Sequence, residues 1–269
     1  MAEKSTYFID PLSSVIHKED IITQLEHLGI QKGMLLFVNA DMNSFANING
    51  GAQAVMEALM QAVGYEGTIV VPCFTPQYKD PACQDIKAPR QYWKQIREHA
   101  LPFDRKLSEP MGSDTFIYQF LRNEAVVRSY HPLYSFAAWG KYAKLICDKH
   151  PLHFALGKDS PLGKICEMNG YCVLLGCGYE ECTMFQMPQY QGELFPVTLV
   201  SAPIESNHRC TWIDMLDIQH QKKDFPDIGE VMEDRKTVKT SYIGTAKCRM
   251  FSAREAVNLA TSYFHIHYE

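Results

Sequence analysis

The chain has 269 residues, 46% of them hydrophobic and 21% charged, which is enough for one substantial core or for a core with a small appended unit. Its formal charge of −5 offers no concentrated basic footprint, so nucleic acid is excluded as the expected partner. No window approaches the roughly 18 apolar residues of a membrane span, and Glu3, Lys4, Asp10, Lys18 and Glu19 interrupt the start where a secretory leader would be apolar; the expectation is a cytoplasmic protein of one domain over residues 1–269.

Lys18 to Leu28 places Ile21, Ile22, Leu25 and Leu28 at helical spacing, and Gly29 is a natural stop before Gly33 turns the chain into the apolar run Met34 to Val38. Asn49-Gly50-Gly51 then opens a helix from Ala52 to Val63, and Thr68 to Pro72 reads as the next strand. A strand, a glycine-rich helix entry and a further strand are the grammar of a layered α/β domain. Between Cys73 and Pro110 the chain is rich in Pro, Gln, Lys and Arg, and loops of that length usually cover or carry a site.

Thr115 to Arg122 follows as a helix that Ser113 or Asp114 can cap, and Ser135 to Trp139 as a small-residue strand. The stretch from His150 to Ile165 reads as a loop ending in a short helix at Lys164 to Glu167. Tyr171 to Leu175 is the clearest buried strand, closed by Gly176-Cys177-Gly178, and the helix that starts near Thr183 is limited by Pro188. Beyond Phe195 come strands at Val197 to Val200 and Arg209 to Ile213, a helix from Asp224 to Met232, a strand from Cys248 to Phe251, and a last helix from Ser252 to Phe264. Ser252 and Glu255 have the spacing of a capping box.

The nine cysteines are odd in number and irregular in spacing, which suits free thiols packed as small hydrophobes. Cys166, Cys172, Cys177 and Cys182 lack the paired spacing of zinc sites, so no metal centre is expected. His150 and His153 read as surface histidines, and His265 and His267 as part of a frayed tail.

Three places can carry chemistry on residue grounds. The turn Gly176-Cys177-Gly178 leading into a helix suits a phosphate, but it lacks the third glycine of the dinucleotide fingerprint and is followed by Glu180-Glu181; a plain structural turn is the competing account. His131, fixed before Pro132 and near Arg128, fits a base, an oxyanion donor or a phosphate contact, against an ordinary structural histidine. Cys177 as a thiol nucleophile lacks the flanking glycines of the nucleophile elbow.

Taken in order, these motifs resemble the aminoglycoside 3-N-acetyltransferase family from about Ile22 to Phe264. The matching runs are Leu28-Gly29-Ile30 with Gly33, Asn49-Gly50-Gly51-Ala52, Arg128-Ser129-x-His131-Pro132 with Ser135 to Gly140, Gly157 with Ser160-Pro161-Leu162-Gly163, Leu174-Leu175-Gly176, and Cys248-Arg249-x-Phe251. The resemblance implies an α/β fold with a mixed central sheet flanked by helices. It also implies transfer of an acetyl group from acetyl-CoA to an amine of a polycationic aminosugar, the chemistry of antibiotic resistance. It assigns the loop after the first strand, with Asp41 and Ser44, together with Gly112, Ser113 and Ser135, to the coenzyme side.

In the family's Leu-His-x-Ala-Glu run the histidine takes the amine proton, and an acid five residues after a downstream tryptophan orients it. This chain reads Phe185-Gln186-Met187-Pro188-Gln189, so Gln186 stands where the base is expected, while Trp212 and Asp217 keep the acid. The loop after the first strand departs as well, with Asn39-Ala40-Asp41 in place of a histidine and small hydroxyls. Two expectations follow. One is an N-acetyltransferase that is weak or altered in acceptor because Gln186 replaces the histidine, working by positioning alone, with His131 as substitute base, or on an amine of lower pKa; the other is a lapsed relative that binds an acyl-CoA or an aminosugar without turnover.

Overall fold

The computed structural model describes residues 15–84, 88–112 and 114–268. Seven strands form the main sheet: β1 (Leu35–Ala40), β2 (Thr68–Pro72), β3 (Val127–Arg128), β4 (Phe136–Gly140), β5 (Tyr171–Leu175), β8 (Lys239–Ile243) and β9 (Ala246–Ser252). Their spatial order is β3-β4-β2-β1-β5-β9-β8. The central three, β2, β1 and β5, run parallel, and antiparallel strands flank them on both sides. The sheet is therefore mixed and α/β, as the sequence leads one to expect.

Helices cover both faces, and the parity of the strand residues sorts the core. Leu35, Phe37, Val70, Cys172 and Leu174 point to one face, where they meet α5 (Ala143–Cys147), α6 (Pro161–Glu167), α7 (Phe225–Asp234) and α8 (Ala253–Tyr268). Leu36, Val38, Ile69, Val71, Val173 and Leu175 point to the other, against α1 (Lys18–Leu28), α2 (Gly51–Val63) and α4 (Thr115–Leu121). A parallel strand buried on both faces needs an unbroken apolar run, which is why Tyr171 to Leu175 is so legible. A short α3 (Trp93–Glu98) lies in the long connection after β2.

Three local expectations change. The hairpin of β6 (Val197–Ser206) and β7 (Arg209–Ile218) is a separate two-stranded sheet with ten residues in each strand, longer than the hydrophobic pattern suggests. Asn207 and His208 both adopt positive φ at its tip, the backbone of a primed two-residue turn, without the Asn-Gly signal that usually marks one. Helix α6 starts at Pro161 rather than Lys164, because Ser160 accepts the Leu162 N–H and Pro161 begins the first turn. The last helix runs to Tyr268, held by the Tyr268 hydroxyl on Asp224 at 2.6 Å, so His265 and His267 are helical and do not fray. No helix among the described residues is long and apolar enough to cross a membrane.

Candidate active site

A cleft of about 750 Å³ opens at the carboxyl ends of the three parallel strands, where open α/β sheets place their ligands. Its floor comes from Asn39 to Asp41 at the end of β1, Pro72 and Phe74 at the end of β2, and Gly176 to Gly178 after β5. Gly176 has φ +72°, and an added Cβ would sit 2.8 Å from the Asp41 carbonyl oxygen and 2.9 Å from the Ser44 Cβ; glycine lets the two loops close on each other. The Ser44 hydroxyl donates to the Gly176 carbonyl at 2.5 Å, and Asp41 accepts the Asn43 N–H at 3.0 Å.

Asp41, Ser44 and Gly112 thus line this cleft together, while Ser113 lies outside the described residues. Ser135 is elsewhere. It is fully buried, donates to the Cys73 carbonyl at 2.6 Å and accepts from Arg128 at 2.9 Å, so its hydroxyl is spent on the scaffold and does not line the cleft.

The lining is acidic. Asp41, Asp114, Glu180 and Glu181 face Lys222, which reaches Glu181 at 3.7 Å. Asp114 caps α4 and also accepts the Met42 N–H at 2.8 Å, yet burial raises its carboxyl above the ordinary value. Cys177 donates to the Asn39 carbonyl at 3.4 Å, and burial pushes its thiol far up, away from the thiolate a nucleophile needs.

His131 corrects an expectation. Its Nδ1 accepts the backbone N–H groups of Leu133 and Tyr134 at 3.1 and 2.9 Å, and its Nε2 donates to the Leu152 carbonyl at 3.2 Å. Both nitrogens are committed to backbone and burial lowers its pKa to about 4, so it has no lone pair free for a substrate proton. His150 is also buried rather than superficial, its ring 4.9 Å from that of His131 and tilted to it, and it is bonded to Ser129 and Ala155.

Next to the cleft lies a second polar assembly that joins residues distant in sequence. Gln186 and Gln189 occupy a buried 3-10 helix, Thr183–Tyr190, tied to the cleft floor where Asn39 donates to Thr183 at 3.0 Å. Gln189 exchanges two hydrogen bonds with the backbone of Gln221. Asp217, at the end of β7, is 2% exposed and accepts the Tyr190 hydroxyl at 2.6 Å. Burial alone would raise its carboxyl, but hydrogen bonds from His220, Tyr190 and Tyr134 together hold it below the ordinary carboxylate value. His220 Nε2 lies 3.5 Å from Asp217 and 3.0 Å from the Tyr190 oxygen.

The sequence singles out Asp217, which the structure places in this assembly, and does not mark His220, Tyr190 or Tyr134 beside it. The one available signal was the spacing Asp217-x-x-His220, which puts two polar groups just past a strand end. The cluster separates two spaces. Tyr134 packs on His220 and on Phe74 of the cleft, and Tyr190 lines a second hollow of about 400 Å³ under the hairpin.

A mixed sheet with a polar cleft at its parallel strand ends, and a buried carboxylate beside it, is the arrangement in which open α/β sheets hold small ligands. Comparison with known proteins narrows this: the profile of the aminoglycoside 3-N-acetyltransferase family matches residues 37–265, and the chain belongs to that family. It is 34% identical over 249 residues to the SPbeta prophage-derived aminoglycoside N(3')-acetyltransferase-like protein YokD of Bacillus subtilis (strain 168), covering 92% of each chain. The crystal structure of YokD superposes with a TM-score of 0.91 at 33% identity, over 94% of both chains. Aminoglycoside N(3)-acetyltransferase III of Pseudomonas aeruginosa is 24% identical, over 90% of this chain and 91% of its own. The structure of AAC-IIIb in binary complex with CoASH shares the fold with a TM-score of 0.86 at 19% identity, over 95% and 98% of the two chains.

Proposed function

We propose that this protein is a single-domain cytoplasmic enzyme that transfers an acetyl group from acetyl-CoA to an amine of an aminoglycoside or related aminosugar. The observation that carries this reading is the Asp217 cluster: a buried, ionised carboxylate with a histidine and two tyrosines, kept beside the cleft although Gln186 and Gln189 replace the family's histidine and glutamate. Family membership supports the donor, since a relative of the same fold binds CoASH.

The acidic lining favours a polycationic acceptor. Carboxylates at Asp41, Asp114, Glu180 and Glu181 attract ammonium groups and repel phosphate, so the uncharged pantetheine arm suits the cleft interior and the coenzyme's phosphates belong outside it. Asp41, Ser44 and Gly112 then bound the thioester end of the donor.

The amine must be neutral as it attacks, and removing a general base typically costs about 10²- to 10⁴-fold in rate. A chain that has lost its base and only binds its ligands is the second reading, favoured by Gln186. Release of coenzyme A thiol from acetyl-CoA with a panel of aminoglycosides separates the two: acceptor-dependent release supports transfer, and binding of an acyl-CoA or an aminosugar without release supports the lapsed relative. Absence of acetyl-CoA binding by calorimetry overturns the transfer reading.

A further inference from the structure

Among the described residues that line the cleft, Lys222 is the only cation. It shares the lining with Asp41, Asp114, Glu180 and Glu181, and its ammonium lies 3.7 Å from the Glu181 carboxylate. The partners come from two different segments, Glu181 from the turn after β5 and Lys222 from the stretch after β7. Both side chains are more than half exposed, so the pair acts through its charge in the cleft rather than through stability.

An exposed lysine keeps such a place only where its backbone is held, because its side chain has much rotamer freedom to lose. Here the backbone is held on both sides. Gln189, 2% exposed on the 3-10 helix, donates its amide N–H to the Gln221 carbonyl and accepts the Gln221 N–H at 3.0 Å. The Lys222 carbonyl accepts the N–H of Phe225, a fully buried residue at the start of α7. Lys223 leaves the cleft, its ammonium 5.5 Å from the centre of the Tyr268 ring, so Lys222 alone of the two lysines enters. Only an amide, which both donates and accepts, serves the two backbone groups of Gln221; a glutamate at position 189 has no donor and would set an oxygen against the Gln221 carbonyl.

We infer that Lys222 is a specificity-determining residue that masks Glu181 and limits how much positive charge an acceptor brings into the cleft, with Gln189 as the positioning residue that holds it there. This inference rests on the proposed acetyl transfer. An ammonium group that approaches Glu181 meets Lys222 and must displace it. Asp41 and Glu180 accept backbone N–H groups and have no cationic partner among the described residues, so they stay open to an amine. Like charge placed in a site suppresses the wrong ligand as effectively as opposite charge attracts the right one, and the cleft therefore disfavours the most densely charged acceptors.

Lys222→Gln tests this, with calorimetry and thiol release measured for glucosamine, which carries one amino group, and sisomicin, which carries several. Expected is a fall in the Kd and KM of sisomicin by about three- to tenfold, a change of less than about twofold for glucosamine and in kcat, and wild-type behaviour in Lys222→Arg. The gain for sisomicin fades as ionic strength rises. Gln189→Glu should reproduce the shift in the wild-type background and add nothing to it in the Lys222→Gln background, a non-additivity that a merely structural role would not produce. If the amines bind without thiol release, the Kd series alone decides. Equal changes for both amines, or none, overturn the assignment and leave acetyl transfer standing. Weaker acetyl-CoA binding by Lys222→Gln, with the acceptor constants unmoved, makes the lysine a donor contact and overturns the assignment as well. If neither protein binds or acetylates any amine, the acetyl-transfer reading fails and this inference falls with it.

Discussion

The floor of the cleft and the Asp217 cluster sit side by side, yet they are finished to different degrees. At the floor, Ser44, Asp41 and Asp114 spend polar atoms on neighbouring backbone and Asn39 donates to the Thr183 hydroxyl, which closes the loops after β1 and β5 into a fixed frame. In the cluster, Asp217 accepts from Tyr190, but Gln186 Oε1 and His220 Nδ1 have no partner among the described residues. A frame gains stability from complete pairing, whereas a reacting centre needs unspent donors or acceptors for its substrate. On the proposed function, the contrast gives shape to the first region and leaves polar chemistry to the second.

The largest effect that sharpens this contrast is expected from Asp217→Asn. The amide preserves volume but removes the charge that orients Tyr190 and His220, so kcat/KM for thiol release should drop by ~10²- to 10⁴-fold, while stability in urea changes by about 1–2 kcal/mol. A loss confined to stability would erase the distinction between the two regions.

Next in size is the pH dependence of folding, carried by the neighbouring pair His131 and His150, whose ring nitrogens are fully paired. Their pKa values are lowered by burial to about 4 and about 3. Above pH ~6.5 both are neutral whether folded or not, so their contribution is intact there. As the pH falls below that value the unfolded chain binds protons that the fold refuses, and by pH 4 His131 alone should remove about 3 kcal/mol. Urea unfolding at several pH values between 7 and 4 measures this, and a flat profile would mean that these rings are hydrated.

The smallest of the three is Gly176→Ala in the frame itself. Positive φ and the approach to the Asp41 carbonyl predict a loss of about 1–3 kcal/mol in unfolding stability, with the ionisations seen in the pH–rate profile unmoved. A shifted profile would show that the frame and the cluster act as one unit.

Much of the frame was legible beforehand because it is written in local signals. Tyr171 to Leu175, Thr68 to Pro72 and the Gly29 stop of α1 follow from apolar runs and glycine punctuation, and the structure ends those elements at the same residues. The weaker elements failed for local reasons too: β3 has two residues, β8 is mostly exposed, and α6 hides its start behind Ser160-Pro161. At the site, Gln186 and Asp217 were identified by their place in a family pattern. Tyr190 and His220 carried no such mark, and His131 looked available because a sequence does not say which backbone groups a ring will bind.

The sequence by itself determined the layered α/β frame, the position of its cleft-forming turns and the exchange of a histidine for Gln186, since each depends on residues within a few positions of one another. Tertiary structure alone decided which polar atoms are spent and which remain. Asp217, Tyr190 and His220 meet only because the β6–β7 hairpin packs its last strand against the 3-10 helix, and hydrogen bonding at 2.6 to 3.5 Å is a property of that contact, not of either segment.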